Sequence, residues 1–255
     1  MYTAVRSIGD AGIDYIELWG EIPHAYHEWV DKKKLKDALS SYDMTVTLHA
    51  PFTDLNPATP YEPVKGAVQK ALADFVRFGI DLGGVMITVH PGSVHSRKMV
   101  AQMQHDSAAL MRALVKESEG ALTISIENQT ASKSKYYIPL GVMPESVELM
   151  LADVVGSKFT LDTGHAYASG VSPQDLAERL GSKLAEVHLS DNRGESDDHL
   201  IPGEGTADLQ GVLNKVAGRD ILICLELDPY KYAEEQVLRA AVRAKENLAQ
   251  GRIRS

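Results

Sequence analysis

Histidines and carboxylates stand at the ends of β-like segments along most of this sequence. Each follows an apolar run, as in VTLHAP, ITVHPG, ISIEN, FTLDTGH, AEVHLSD and CLELD. A single one could be an ordinary hydrogen-bonded strand end, but several carboxylates held together repel one another and lose hydration. A divalent cation offsets that cost, and mixed imidazole and carboxylate ligands suit Mn²⁺, Zn²⁺, Co²⁺ or Fe²⁺. The candidates are His49, His90, Glu127, Asp162, His165, His188, His199 and Glu226.

Seven β-rich segments would position these residues, and longer helical patterns separate them. Several segments are apolar on both faces, which is typical of parallel strands covered by helices. No GxGxxG motif follows an early strand, so a dinucleotide-binding fingerprint is missing. The polar residues instead fall at the carboxyl ends of successive strands, where (β/α)8 TIM barrels build their sites. The predicted strands are 14–18, 45–49, 85–90, 122–127, 158–162, 185–189 and 221–227.

The fold prediction is therefore a single α/β domain over residues 1–255, a TIM barrel of ordinary length. Only seven of the eight strands of such a barrel are visible. The chain opens on a predicted helix at 3–11, which suggests that the first strand is the one lacking. Either that strand belongs to an upstream segment or the barrel closes in another way. Further helices are predicted at 64–82, 106–119 and 173–180.

Bulk composition limits the possible partners and location. The formal net charge of −9 disfavours generic binding to nucleic acid, because an acidic surface repels phosphate backbones. No apolar run approaches the ~18 residues of a membrane span, and the amino terminus lacks a signal-peptide pattern. The single cysteine, Cys224, cannot form an intramolecular disulfide. We therefore expect a cytoplasmic protein with no membrane or nucleic-acid partner.

Seven short motifs in order resemble those of the xylose isomerase-like TIM barrel superfamily. They are HAPF (49–52), HPG (90–92), IEN (126–128), LDTGHA (161–166), HLSDN (188–192), DDHLIPGEG (197–205) and LEL (225–227). That group joins sugar and sugar-phosphate isomerases and epimerases with the type IV apurinic endonucleases. The resemblance covers about residues 14 to 227 and implies a metal-dependent enzyme.

The resemblance also implies a set of ligands for each of the two activities. The single metal of the epimerases would be bound by Glu127, Asp162, His188 and Glu226. The endonucleases bind three zinc ions, whose additional ligands would fall on His49, His90, His165, Asp197 and His199. All of these positions are filled, so the ligands alone do not separate the activities. The loop HLSDNRGESDDHLIPGEGTADL resembles that of the isomerase branch, and the chain is short and acidic for an endonuclease.

The favoured interpretation is a divalent-metal-dependent isomerase or epimerase acting on a small carbohydrate, a sugar or sugar phosphate. In that chemistry a metal-stabilised enediolate forms, and Glu127 and Glu226 act as the acid and base that transfer the proton. Asn128, next to Glu127, and Arg193, the only cation in the loop after His188, are further candidates for substrate contacts. The alternative is a zinc phosphodiesterase acting on abasic DNA. A catalytically silent barrel that binds a metabolite would not need so costly a set of residues. The substrate, the number of metals and the oligomeric state stay open.

Overall fold

The computed structural model describes residues 1–249 of the chain, in which helices and strands alternate. Its strands are β1 (Tyr15–Trp19), β2 (Thr45–His49), β3 (Met86–Val89), β4 (Ser93–Val94), β5 (Thr123–Glu127), β6 (Ile138–Pro139), β7 (Lys158–Asp162), β8 (Leu184–Leu189) and β9 (Leu222–Leu225). Its helices are α1 (Tyr2–Asp10), α2 (Lys32–Ser40), α3 (Glu62–Leu82), α4 (Val100–Glu117), α5 (Pro144–Asp153), α6 (Thr163–Ala168), α7 (Pro173–Arg179), α8 (Leu209–Val216) and α9 (Glu234–Ala249). A short 3-10 turn at Arg97–Met99 leads into α4.

Seven strands form one parallel sheet in the order β1-β2-β3-β5-β7-β8-β9. The sheet curls until its two edge strands, β1 and β9, lie beside each other, so the barrel is nearly closed. All seven predicted strands and the TIM barrel fold are confirmed. The remaining strands, β4 and β6, form a small antiparallel pair in the loops above the barrel. As predicted, the chain enters the described structure on a helix, α1.

The core lies between the sheet and the helices around it. On α3, Leu72, Phe75 and Val76 are almost completely buried, and they recur at the spacing that places residues on one face of a helix. Strand residues that point outward, such as Leu48 and Ile87, are also buried because these helices cover them. The helical layer therefore closes the outside of the barrel and leaves the inside for polar side chains.

Helix boundaries follow local chemistry. The side chain of Asp208 accepts a hydrogen bond from the backbone N–H of Gly211 and so begins α8, and Ser172 begins α7 in the same way. The helix predicted at 106–119 begins earlier, at Val100, because the segment before residue 106 contains neither Gly nor Pro and continues the apolar face through Met103. No helix within residues 1–249 combines the length and apolar character needed to span a membrane.

Candidate metal centre

Two successive rows of polar side chains line the inside of the barrel. Side chains two residues apart on a strand point to the same face, so each strand can contribute one residue to each row. The lower row consists of Tyr15, Thr47, Thr88, Ser125, Thr160 and Glu186. The upper row, two residues further along the chain, consists of Glu17, His49, His90, Glu127, Asp162 and His188. Cys224 and Glu226 repeat the same spacing at β9, so all seven barrel strands follow it.

The lower row is a chain of hydrogen bonds centred on Glu186. One carboxylate oxygen of Glu186 accepts hydrogen bonds from the hydroxyls of Tyr15 and Thr47, the latter at 3.2 Å. Its other oxygen accepts from the hydroxyl of Thr88 at 3.0 Å, and Thr88 lies 3.0 Å from the hydroxyl of Thr160. A buried carboxylate with these partners is fully satisfied. The lower row therefore forms a rigid base for the upper row.

Glu127 is the central residue of the upper row. Its Oε2 lies 2.9 Å from Nε2 of His90 and 3.0 Å from Nε2 of His49. Its Oε1 lies 3.2 Å from Nδ1 of His188 and 3.6 Å from Nδ1 of His165. Although burial opposes ionisation, the imidazoles of His90 and His188 hold the pKa of Glu127 well below its usual value. Each of its two oxygens therefore faces a different pair of histidines.

Among the residues that the structure describes, four overlapping groups of side chains could each hold a cation, and three of them gather the predicted ligands at this end of the barrel. Within each group, one ligand atom per residue lies within 4.8 Å of all the others. These three groups are His49, His90 and Glu127; then Glu127, Asp162, His188 and Glu226; then Asp162, His165 and Asp197. His199 joins the third group, because its Nε2 lies 3.0 Å from Oδ2 of Asp197. The structure thus brings together every candidate metal ligand named from the sequence.

Several atoms of these groups are buried without a hydrogen-bond partner among the described residues. They include Oδ2 of Asp162 and Oδ1 of Asp197. A buried oxygen of this kind carries a desolvation cost that a bound cation would offset. Burial and the nearby carboxylates of Glu226 and Asp197 raise the pKa of Asp162 to about 8, although the imidazole of His165 opposes the shift. The mixed imidazole and carboxylate donors therefore fit a divalent transition metal.

The loop after β8 carries Asp197 and His199 to the site, and Asp191 holds this loop in shape. The buried Oδ2 atom of Asp191 accepts the backbone N–H groups of Gly203 and Gly205 at 2.9 and 3.0 Å. Its Oδ1 accepts two more, from Asn192 and Ala207. A side chain at Gly205 would place its Cβ 2.3 Å from the same carboxylate, so only glycine fits there.

Replacing Asp191 by asparagine is expected to lower the free energy of unfolding by about 2–4 kcal/mol. An asparagine keeps one acceptor oxygen but turns its NH₂ group toward backbone donors, so the bonds on that side of the group are lost. The measurement is chemical denaturation of the metal-free protein. The control is Asp198→Asn in the same loop, whose carboxylate contacts Ser196 near the surface and should cost less than about 1 kcal/mol. Equal unfolding midpoints for Asp191→Asn and the wild type would contradict this role.

A cavity of about 570 Å³ opens above the cluster. Its floor includes His49, His188 and Glu226. Its walls are largely aromatic and apolar, and they are formed by Trp19, Phe52, Tyr137, Pro139, Leu225, Leu227, Pro229 and Tyr230. Among the residues that line it there is no lysine or arginine in the described part of the chain. The cavity can therefore admit a small organic molecule to the carboxylates and imidazoles.

The two candidates for substrate contacts, Asn128 and Arg193, lie in different surroundings. Asn128 is completely buried, and its amide group bonds the backbone of Asp162 in both directions, at 2.9 Å each. This pairing joins the ends of β5 and β7, so Asn128 supports Asp162 from outside the cavity. Arg193 is exposed, and its guanidinium reaches the carbonyl oxygen of Glu204 at 3.4 Å. Arg193 is not among the residues that line the cavity.

Three residues of the barrel interior were missed by the sequence reasoning. They are Tyr15, Glu17 and Glu186, all within predicted strands. The two-residue spacing could have revealed them. The segments YIE (15–17) and EVH (186–188) have two polar residues separated by an apolar one, as do TLH, TVH, SIE and TLD at the ends of the other strands. An acidic residue at such a position faces the same side of the sheet as a neighbouring ligand.

Comparisons with known proteins agree with this architecture. An uncharacterised protein of Methanocaldococcus jannaschii, MJ1311, is 28% identical over 256 residues, which cover 96% of this chain and 83% of that protein. Fructoselysine 3-epimerase of Shigella flexneri is 23% identical over 229 residues, covering 85% of this chain and 80% of the epimerase. Both relatives match along most of the barrel.

Solved structures show the same fold. The crystal structure of a D-tagatose 3-epimerase-like protein has a TM-score of 0.81 at 27% identity, covering 96% of this chain and 91% of that chain. The structure of the IolI protein with a bound zinc atom has a TM-score of 0.81 at 18% identity, covering 100% of this chain and 95% of that one. The family whose model matches residues 5–248 is described as the xylose isomerase-like TIM barrel. The chain belongs to that family.

Proposed function

We propose that this protein is a divalent-metal-dependent isomerase or epimerase of a sugar or sugar phosphate. The observation that carries the proposal is the group formed by Glu127, Asp162, His188 and Glu226, whose ligand atoms lie within 4.8 Å of one another. Glu226 lines the cavity directly above it. The names of the relatives, fructoselysine 3-epimerase and a D-tagatose 3-epimerase-like protein, support a carbohydrate substrate.

The group supplies a cation site with acid–base residues beside it. A divalent cation there would act as a Lewis acid, polarising a substrate carbonyl and stabilising negative charge that develops on its oxygen. Glu127 lies on β5 and Glu226 follows β9, so the two carboxylates approach the cavity floor from different strands. Both lie close to Nδ1 of His188, at 3.2 Å for Glu127 and 3.0 Å for Glu226.

The two glutamates differ in access to the cavity. The side chain of Glu127 is only 1% exposed and is surrounded by imidazoles, whereas that of Glu226 is 37% exposed. We infer that Glu226 is the residue that takes a proton from the carbon next to the carbonyl. Glu127 would then return a proton from the opposite side or serve mainly as a ligand. Delivery of a proton to the neighbouring carbon of the enediolate gives isomerisation, and return of a proton to the opposite face of the original carbon gives epimerisation.

The test is turnover of ketoses and their phosphates in deuterated water, with metal content measured on the same preparation. We expect at least one equivalent of a divalent metal, and product that carries deuterium at the reacting carbon. The control is the protein after chelation, which should neither convert nor label the sugar until metal is restored. Wild-type protein that binds no divalent metal would refute the proposal.

The other two cation groups favour a second candidate, a zinc phosphodiesterase acting on abasic DNA. His49 and His90 on one side, and His165 and Asp197 on the other, could hold additional ions beside the first. The cavity lining argues against this candidate, because among the described residues it contains no lysine or arginine. Sites that bind DNA place such cationic side chains against the phosphates. Three zinc ions per chain and incision of an abasic duplex that falls steeply with salt would favour this candidate.

A further inference from the structure

Four histidines of the cation groups are oriented in two different ways. In His49, His165 and His199, Nδ1 lies 2.8–3.2 Å from a backbone carbonyl oxygen, and Nε2 faces a carboxylate of the site. In His188 the arrangement is reversed, because Nδ1 faces the site and Nε2 points down into the barrel. The hydrogen-bond partner of that Nε2 is the carboxylate Oε2 of Glu17, at 2.8 Å, whereas Oε2 of Glu186 lies 3.7 Å away, beyond hydrogen-bond distance. His188 alone among these four rings is therefore oriented by an acidic side chain.

Glu17 has few other partners. Its side chain is 7% exposed, and its second oxygen, Oε1, is buried without a hydrogen-bond partner within residues 1–249. Its acidic neighbour Glu186 is already bonded by hydroxyl groups of the lower row, as described above. Glu17 and Glu186 lie with His188 in a group whose ligand atoms are within 4.8 Å of one another. Because the oxygens of Glu186 are occupied by hydroxyl donors, this group is better suited to orienting an imidazole than to enclosing an ion.

We propose that Glu17 is a positioning residue that holds a hydrogen on Nε2 of His188 and so directs the lone pair of Nδ1 toward Glu127 and Glu226. The inference rests on the proposed function, since it assigns His188 to the metal. A metal-bound imidazole whose other nitrogen donates to a carboxylate is fixed in tautomer and ring orientation, and it is a stronger base. Glu17 occupies on β1 the position that the proposed ligands occupy on β5, β7 and β8. It completes the upper row and lines the cavity, but it is not one of the four residues of the proposed metal group.

The experiment measures the Zn²⁺ dissociation constant by competition with a chromophoric chelator, for the wild type and for variants at Glu17. Glu17→Gln keeps an acceptor oxygen but removes the charge, and Glu17→Ala removes both. We expect affinity to fall about 10–100-fold in Glu17→Ala and by a smaller factor in Glu17→Gln. The matched control is Glu186→Gln, which removes the charge of the neighbouring buried glutamate, 3.7 Å from Nε2 of His188, but leaves the 2.8 Å contact between Glu17 and His188 in place.

A second readout follows the imidazole itself. In the zinc-loaded wild type labelled with ¹⁵N-histidine, the Nε2 proton of His188 should be observed and shifted downfield by its bond to a carboxylate. In Glu17→Gln that proton should move upfield, whereas in Glu186→Gln it should stay. A role of Glu17 in general stability alone would leave this signal unchanged. Circular dichroism of each metal-free variant checks folding, and Glu17→Gln carries the test if Glu17→Ala does not fold.

The outcomes separate this inference from the function on which it rests. Wild-type protein that binds no Zn²⁺ would overturn both. If the wild type binds Zn²⁺, and Glu17→Gln has the same affinity and the same His188 signal, only the role of Glu17 is overturned. Equal losses of affinity in Glu17→Gln and Glu186→Gln would also overturn it, because the effect would then come from the buried polar layer in general.

Discussion

Replacing Glu226 by glutamine is expected to slow hydrogen exchange at the substrate carbon by at least ~10²-fold, the usual contribution of one general acid or base. Glutamine has nearly the same shape and keeps an oxygen that can face the cation group, but it cannot accept the proton. The fold and much of the metal should therefore be retained. The measurement is deuterium incorporation from solvent into recovered sugar, followed by mass spectrometry.

The control for this experiment is Asp228→Asn, which changes a carboxylate that lines the same cavity but lies outside the cation groups. It should exchange hydrogen at nearly the wild-type rate. If the wild type converts a sugar without taking up deuterium, a hydride shift becomes the better mechanism. Glu226 would then be a ligand, and its assignment as a base would be wrong.

Replacing Glu127 by alanine is expected to reduce activity by ~10³-fold or more and to lower the metal content. Glu127 belongs to two of the three cation groups, so the variant weakens both at once. Loss of a Lewis acid removes several kcal/mol of transition-state stabilisation, and about 4 kcal/mol corresponds to ~10³-fold in rate. The measurements are metal analysis after dialysis and turnover at saturating substrate.

The matched variant for Glu127→Ala is His90→Ala. His90 contacts Oε2 of Glu127 but is not part of the group formed with Asp162, His188 and Glu226. On the proposed function, His90→Ala keeps one tightly bound metal and a substantial part of the activity. If it loses a metal equivalent together with all activity, the reaction needs more than one ion, and the phosphodiesterase becomes the better assignment.

Much of the fold could be predicted because its strands carry a local signal. The runs before His49 and Glu127, TVTL and LTISI, alternate apolar residues with Thr or Ser, as expected for strands with one face under helices and the other in a polar barrel interior. Boundaries shift by a residue or two at β3 and β9, since hydrogen bonding rather than residue type ends a strand. The start of α4 was harder to predict, because no capping residue marks it.

The site was partly predictable for a different reason. Parallel strands in a barrel all point the same way, so residues that end them meet at one mouth, and Glu127, Asp162 and His188 could be grouped from their positions alone. Asp191 could not be assigned its role, because its four backbone donors come from a loop whose path depends on the whole barrel mouth. Arg193 shows the opposite: the sequence suggested a substrate contact, because Arg193 is the cation of the loop after His188, but it is not among the residues that line the cavity.

The sequence by itself determined the parallel strands, the family resemblance and the residues that the barrel mouth collects, because strand alternation and strand ends are properties of short segments. Only the tertiary structure decided which nitrogen of each histidine faces the site, and only it placed Glu17 beside His188. Those facts depend on the curvature of a sheet that brings β1 beside β9 and within reach of β8. Glu17 and His188 are 171 residues apart in sequence, and no pattern within one segment can report a contact that the closure of the barrel creates.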